Sequence, residues 1–532
     1  MIDAVTDSQQ LEVIAKKLPA HAVAARIKIH EKAPNIVTVW DVIDAIASYE
    51  MSYFRCTDPQ AQISSKRKPV TYSNYFSGPQ TCEYLEPGLI NVFKEFESFA
   101  LLPLSEEEKK IPFLFLSKNK PWRPADSQEK VHSIVGKKTF LERFHIFTEN
   151  QFAEWEEWQN MLIVGGAVVN CLLPIRKEFQ ADVGHYYHDV AYKTSDIDIY
   201  FYGLNEQQFT DKLVKLHRYL VARNKGKQVL VFKTPHTFTF VTEFPQRHIQ
   251  IVLGKWDTRE QILFEPDVDC SCFGFDGKTV WATQRARFSM NHRVIVASPS
   301  RYHVRGFPEY ESRLVKYSKR GFVIWDRKLE WKKLSEQYIQ HGVNRLNEHQ
   351  GVFGRAGVIG LRLLVILHKY KEILEDTDIM TVLSGEVVPG NRILDNGIPY
   401  GRQWTNEKIE ESFNLGIFRA TSNYGVYKLN SRNHPAARIQ LHKEVSEATA
   451  KTVFRTELLK LVTNNSNEDF EQQWYCRIFQ KDYLKELVEW KNTHRDYPES
   501  THDDLYYSLR VYYCTRPVTK SKTTFEDLIL DS

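Results

Sequence analysis

Apolar residues recur along this chain with two different periods, and the switches between them outline a central module. Residues 161–164 (MLIV) form a short apolar run ending at Gly165-Gly166, and residues 167–173 then fit a short helix stopped by Pro174. A polar insertion fills 176–193. The segment SDIDIYF (195–201) alternates strictly, so Asp196, Asp198 and Tyr200 share one strand face while Ile197, Ile199 and Phe201 share the other. Residues 208–223 place Phe209, Leu213, Leu216 and Leu220 along one helical face. Runs at 229–233 and 237–242 predict a hairpin around Thr234-Pro235-His236. Residues 248–253 predict a strand in which Ile249, Ile251 and Leu253 alternate with His248, Gln250 and Val252. One or two helical turns suit 257–264, and 268–275 with 278–282, joined by Asp276-Gly277, predict a second hairpin.

The flanks follow other rules. Helical spacing marks 11–29 and 39–51, whereas 56–79 (with SSKRKP) and 116–127 (LSKNKPWRPADS) read as surface connections or binding arms. Beyond residue 300, helix-like spacing returns at 336–346, 356–374, 442–463 and 470–493, around a Gly- and aromatic-rich interlude at 397–429. The expected organisation is an α-rich accessory region over 1–150, an α/β core with a mixed β-sheet and flanking helices over 151–295, and a mainly helical region over 296–532.

Composition narrows the class. With 532 residues, 42% apolar and 13% aromatic, the chain can bury more than one core. A net charge of +4 permits a nucleic-acid partner without demanding one. Seven cysteines without a CxxC do not form a disulfide framework, and Cys270 and Cys272 suit a buried strand. No signal-peptide pattern opens the chain, and no apolar run is long enough to span a bilayer. An intracellular protein, cytoplasmic or nuclear and without a membrane segment, is expected.

The chemistry lies in the alternating strand. Two carboxylates on one face repel unless a cation sits between them, and Mg²⁺ binds through one or two carboxylates plus substrate phosphates. A polar strand edge would give the same pattern by itself. Gly165-Gly166, about thirty residues upstream, adds a turn where backbone N–H groups can approach phosphate.

Together VGGAVVNCLL (164–173) and SDIDIYF (195–201) resemble the DNA polymerase β-like nucleotidyltransferase superfamily. The resemblance implies that Gly165 and Gly166 cradle a nucleoside triphosphate, with Asn170 on the adjoining helix. It implies that Asp196 and Asp198 hold two Mg²⁺ (or Mn²⁺) ions and act catalytically. Many members carry a third carboxylate on a neighbouring strand, and here the matching position in RHIQIVL holds Gln250, with His248 on the same face. A branch resembling tRNA CCA-adding enzymes manages with the pair alone. Asp267 and Asp269 share a predicted strand face, and Asp269 is the candidate third acid.

The segment 301–333 interleaves basic residues with Tyr302, Phe307, Tyr310, Tyr317, Phe322 and Trp325, a mixture that binds single-stranded nucleic acid. A basic helix whose rings belong to the core would read alike. Lys316, Lys319 and Arg320 could contact triphosphate. The three-part layout resembles viral poly(A) polymerase catalytic subunits, implying ATP as donor and a single-stranded RNA 3′ end as acceptor. The alternatives are a degenerate fold that binds RNA or protein, or transfer to a protein or small molecule, cyclic nucleotides included. The 18 histidines are dispersed, and His185 and His188 form no ligand pattern.

Overall fold

A computed structural model describes residues 2–18, 22–57, 88–117, 131–193, 195–224, 229–233, 237–253, 256–298, 309–348, 358–369, 398, 400–414 and 427–429. The helical expectations for 442–463 and 470–493, most of both polar arms, Tyr302 and Phe307 lie outside these residues.

In chain order the helices are α1 (Ser8–Lys17), α2 (Val23–Lys32), α3 (Val39–Thr57), α4 (Glu106–Lys109), α5 (Lys137–Phe147), α6 (Gly166–Leu172) and α7 (Glu206–Arg223). After them come α8 (Arg259–Phe264), α9 (Gln284–His292), α10 (Glu309–Lys319), α11 (Glu336–Glu348), α12 (Gly360–Lys369) and α13 (Asn406–Asn414). The strands are β1 (Ile90–Asn91), β2 (Phe113–Leu114), β3 (Met161–Val164), β4 (Ile197–Phe201), β5 (Leu230–Lys233) and β6 (Thr237–Val241). They continue with β7 (Ile249–Val252), β8 (Phe273–Phe275), β9 (Val280–Ala282), β10 (Val294–Val296), β11 (Val323–Trp325) and β12 (Tyr427–Leu429).

Nine strands form one mixed sheet in the order β1-β9-β8-β3-β4-β7-β6-β5-β12. Within it β4 and β7 run parallel and the other neighbours antiparallel. One face carries the main core. There Ile197, Ile199, Ile249, Ile251 and Phe240 meet α5, α6 and the apolar side of α7, including the fully buried Leu213 and Leu216. Truncating either leucine to Ala would cost about 2–5 kcal/mol. A smaller cluster of Leu162, Val164, Trp256, Ile262 and Leu263 covers part of the opposite face.

The sequence expectations hold with shifts at the element ends. Helix α7 begins two residues before its predicted start because Asn205 caps it, accepting from the Gln208 N–H at 2.9 Å while Gln208 returns the bond. The single helical pattern over 11–29 resolves into α1 and α2, with α1 ending ahead of Pro19. The strand expected from residue 268 is shorter. Asp269–Ser271 forms a 3-10 turn, and only Phe273–Phe275 joins the sheet. Cys270 and Cys272 are buried as expected, but Cys270 lies on that turn and Cys272 follows it, ahead of the strand.

Strands β10, β11 and β2 form a second sheet. The N-terminal helices pack on it through Leu11, Val23, Ile29, Val42 and Ile46 against Val294, Val323 and Trp325. Strands from both flanks thus enter the two sheets, since Leu114 pairs with Ile324 and Leu429 with Val231.

Candidate active site

The turn after β3 is built on glycine for a reason. Gly165 sits at φ 74°, ψ −129°, a backbone state that side chains with a Cβ rarely adopt. Its N–H donates to the Phe273 carbonyl (3.0 Å), tying the turn to β8, and its carbonyl accepts from Val168 (3.1 Å) and Val169 (3.0 Å) as α6 begins. A Cβ on Gly166 would lie 3.7 Å from Arg320 Nη1 and 3.9 Å from the Tyr317 hydroxyl.

The carboxylates arrive beside this turn by register. Val164, the last residue of β3, pairs directly with Asp198. Ile197, Ile199 and Phe201 are buried while Asp196, Asp198 and Tyr200 are half-buried, which is the alternation the pattern predicted.

What holds the start of β4 is a residue that sequence reasoning missed. The guanidinium of Arg247 is fully buried. Its Nε donates to the Phe147 carbonyl (2.9 Å), Nη1 to the carbonyls of Tyr192 (2.8 Å) and Ser195 (2.7 Å), and Nη2 to that of Tyr187 (3.0 Å). The Phe147 ring lies 4.0 Å from it. Burial lowers its pKa. The insertion at 176–193 is therefore no polar loop. Tyr187 and Tyr192 are core residues, Tyr186–Ala191 forms a π-helical turn, and Arg247 ties this block to the residue before Asp196.

Arg320 is the second anchor. It follows α10 and stacks between Tyr192 and Tyr317, 4.8 Å from each ring. Its Nη2 donates to Ser195 Oγ (3.2 Å), one residue ahead of Asp196. Its Nη1, on the Gly166 side, is buried and has no hydrogen-bond partner among the described residues. Burial holds the phenols of Tyr192 and Tyr317 well above their ordinary pKa, so both rings are neutral. Lys316 is half-buried on α10 and Lys319 is exposed. Of the three cations named from sequence, Arg320 makes the contacts that join turn and strand.

The remaining predicted residues divide. Asn170 lies one helical turn after Gly166, fully buried, and neither amide atom has a hydrogen-bond partner. Gln250 pairs in parallel register with Asp198 and donates to Thr239 Oγ1 at 3.5 Å. His248 is buried with its ring edge-on to Tyr400 at 5.2 Å, and desolvation drives its pKa down to about 3. Asp269 is placed differently from expectation. One carboxylate oxygen meets Arg285 (3.3 Å) and the other accepts the Val296 N–H (2.8 Å), which uses both oxygens in packing α9 and β10. Burial raises its pKa against the pull of Arg285. Asp267 is likewise paired with Arg313 (2.8 Å). Tyr310, Tyr317, Phe322 and Trp325 are 3% exposed or less, so these four rings belong to the core and cannot stack on bases. His188 pairs with Glu149 at 2.7 Å.

Among the described residues no group of three or more His, Cys, Asp or Glu side chains is arranged to hold a metal. A cation here would rest on the two aspartates and on oxygens of its own ligand, a donor set that suits a hard divalent ion. Among the described residues no helix is long and apolar enough to cross a membrane.

A glycine turn at positive φ, two carboxylates on one strand face and a stacked arginine thus lie on neighbouring elements. Comparison with known proteins adds that residues 135–293, which include the turn and both aspartates, match the family described as Gabija anti-defense 2 (Gad2) family protein. The chain is also 26% identical over 229 residues to the uncharacterized protein R883 of Acanthamoeba polyphaga mimivirus, covering 40% of this chain and 46% of that one. The chain thus spans about half the length of the curated relative it matches. The solved structure of the Thermotoga maritima CCA-adding enzyme complexed with tRNA_CCA aligns over 75% of this chain and 87% of its own, at 16% identity. Its TM-score is 0.26, a likeness too slight to bear on function.

Proposed function

We propose that this protein binds a nucleoside triphosphate with a divalent cation and transfers its nucleotidyl group, most favourably adenylate from ATP, to an RNA 3′ hydroxyl, breaking the α–β phosphoanhydride bond and releasing pyrophosphate. The observation that carries this reading is the direct pairing of Val164 with Asp198, which sets the glycine turn against the carboxylate strand, with Arg320 bridging the two. Asp196 and Asp198 would hold Mg²⁺ or Mn²⁺, which when bound neutralises phosphate charge and polarises the reacting oxygens. The backbone at Gly165-Gly166 leaves room for phosphate where a side chain would intrude. Arg320 presents its unpartnered Nη1 toward that room, and a guanidinium suits phosphate oxygens by geometry as well as charge. Arg247 fixes the backbone ahead of Asp196, so the carboxylates need little rearrangement on binding.

The burial of Tyr310, Tyr317, Phe322 and Trp325 favours a second reading for the acceptor. With those rings in the core, transfer to a protein or small molecule, or nucleotide binding without transfer, competes with RNA. The anti-defense description of the matched family suits any reading in which a nucleotide or a modified partner changes a defence response. The test uses the full chain with Mg²⁺ or Mn²⁺, each labelled NTP, and short single-stranded RNA. Label on the RNA that disappears in the Asp196→Ala/Asp198→Ala double mutant supports the leading reading. Label on protein or in a small product moves the acceptor, and no turnover together with no NTP binding overturns the site.

A further inference from the structure

We infer that this site takes one divalent cation rather than two, and that Arg320 supplies the second positive charge. The inference rests on the nucleotide-binding reading above and specifies how charge is balanced within it. Two cations a few ångströms apart repel strongly and need anionic ligands to offset that repulsion. The sheet fixes what stands on the far side of Asp198. Its neighbour in the parallel β4–β7 register is Gln250, an uncharged amide whose own lateral neighbour is Thr239. Of the two other acids considered from sequence, Asp269 spends both oxygens on Arg285 and the Val296 N–H, and Asp267 spends one on Arg313 at 2.8 Å. Two carboxylates and the phosphates of a ligand complete the shell of one Mg²⁺; they leave a second without anionic support.

On the other side of the pair, the position nearest the glycine turn already holds a fixed cation. Arg320 bonds Ser195 Oγ at 3.2 Å, is flanked by two neutral tyrosine rings, and keeps Nη1 buried without a partner beside Gly166. A guanidinium held in this way needs no reorganisation to meet an incoming phosphate oxygen. The fully buried, unpartnered amide of Asn170, one turn along from Gly166, is a second polar group left unmatched on that helix.

The experiment counts metal rather than turnover. Mn²⁺ binding to the full chain is followed by EPR with and without a non-hydrolysable ATP analogue. One Mn²⁺ per chain, bound only when analogue is present, is the expected result. Gln250→Asp should raise the count to two, and Arg320→Ala should weaken analogue binding by about tenfold or more while the count at saturation stays at one. Two Mn²⁺ on the wild type overturns the inference and leaves the nucleotide reading intact. No analogue-dependent Mn²⁺, or binding that persists in the Asp196→Ala/Asp198→Ala double mutant, overturns that reading itself. The wild-type count decides the matter even if Gln250→Asp does not fold.

Discussion

Replacing Arg247 with Met tests whether this buried guanidinium organises the site. The side chain is fully buried and satisfies four carbonyls, those of Phe147, Tyr187, Tyr192 and Ser195, over distances of 2.7–3.0 Å. Methionine fills much of the volume but leaves all four acceptors dry. At about 1–3 kcal/mol for each stranded group the gross loss is large. Removing a buried charge returns part of it, and the net cost of breaking such an arrangement is about 3–5 kcal/mol. Lysine should not rescue, because three donors on a point charge cannot reach carbonyls spread over a planar fork. Urea denaturation followed by circular dichroism measures the first effect. Analogue-dependent Mn²⁺ binding measures the second, which should fall further than stability alone explains, since Ser195 leads directly into Asp196. An Arg247→Met protein within about 1 kcal/mol of wild type would refute the reasoning, as would one rescued by lysine.

Four further outcomes follow from the same geometry. Gly165→Ala should destabilise by about 1–3 kcal/mol, because φ 74° with ψ −129° is a region that a residue with a Cβ rarely enters. Gly166→Ala should leave the urea midpoint nearly unchanged, because the new Cβ meets ordinary van der Waals distances, yet it should weaken nucleotide binding. Asp269→Asn should lower stability through the Glu50–Arg285–Asp269 network while leaving analogue-dependent Mn²⁺ binding intact; loss of that binding in a folded variant would return Asp269 to the site. The buried Glu108 faces His30 (3.8 Å) and His292 (3.5 Å). Burial alone would raise its pKa, but the two neighbouring imidazoles and the hydrogen bond from the Ser105 N–H outweigh that and bring it to about 2. His30 is lowered by burial but raised by more through Glu108. A depressed acid stabilises above its unfolded pKa near 4.5 and loses that contribution as pH falls toward 2; a raised histidine stabilises below about 6.5 and loses it as pH rises. Stability from this cluster should therefore peak between about pH 4.5 and 6.5 and fall by about 3 kcal/mol on the acid side. A Glu108→Gln profile that superimposes on wild type in urea melts across pH would exclude it.

The legible parts of the chain were those in which a short local period decides the outcome. MLIV-GG announces a strand and a forced turn, and SDIDIYF can bury its isoleucines only by turning both aspartates to one face. The 3.6-residue spacing of Phe209, Leu213, Leu216 and Leu220 left α7 little choice. Strands β1 and β2 were not legible, because two residues cannot display an alternation. Nor was Arg247, which in the string FPQRHIQ looks like any charge at the end of a turn; nothing nearby in sequence reveals the four carbonyls it serves. Asp269 misled for the opposite reason. VDCSC alternates like a strand, but Ser271 and Cys272 turn their N–H groups back to Val268 and Asp269, and the acid is spent on Arg285.

The basic and aromatic stretch near residue 316 shows where composition stops being informative. Read as a string, Lys316, Lys319 and Arg320 are three similar cations among rings, and a nucleic-acid groove is a fair inference from that mixture. Folding separates them by packing. The rings turn inward because α10 and β11 lie against the main core and the N-terminal cluster, where burying a large aromatic surface outweighs any gain from leaving it wet. That leaves the cations to be sorted by shape. Lys319 is exposed, whereas the flat guanidinium of Arg320 fits between Tyr192 and Tyr317 and still reaches Ser195. A lysine at 320 would keep the charge but lose the stacking and the two-sided reach, since an ammonium has no plane. Of the aromatic residues that looked like a platform for bases, Tyr317 is instead one of the two rings that hold a single arginine beside the glycine turn, and its partner ring, Tyr192, comes from a different part of the chain.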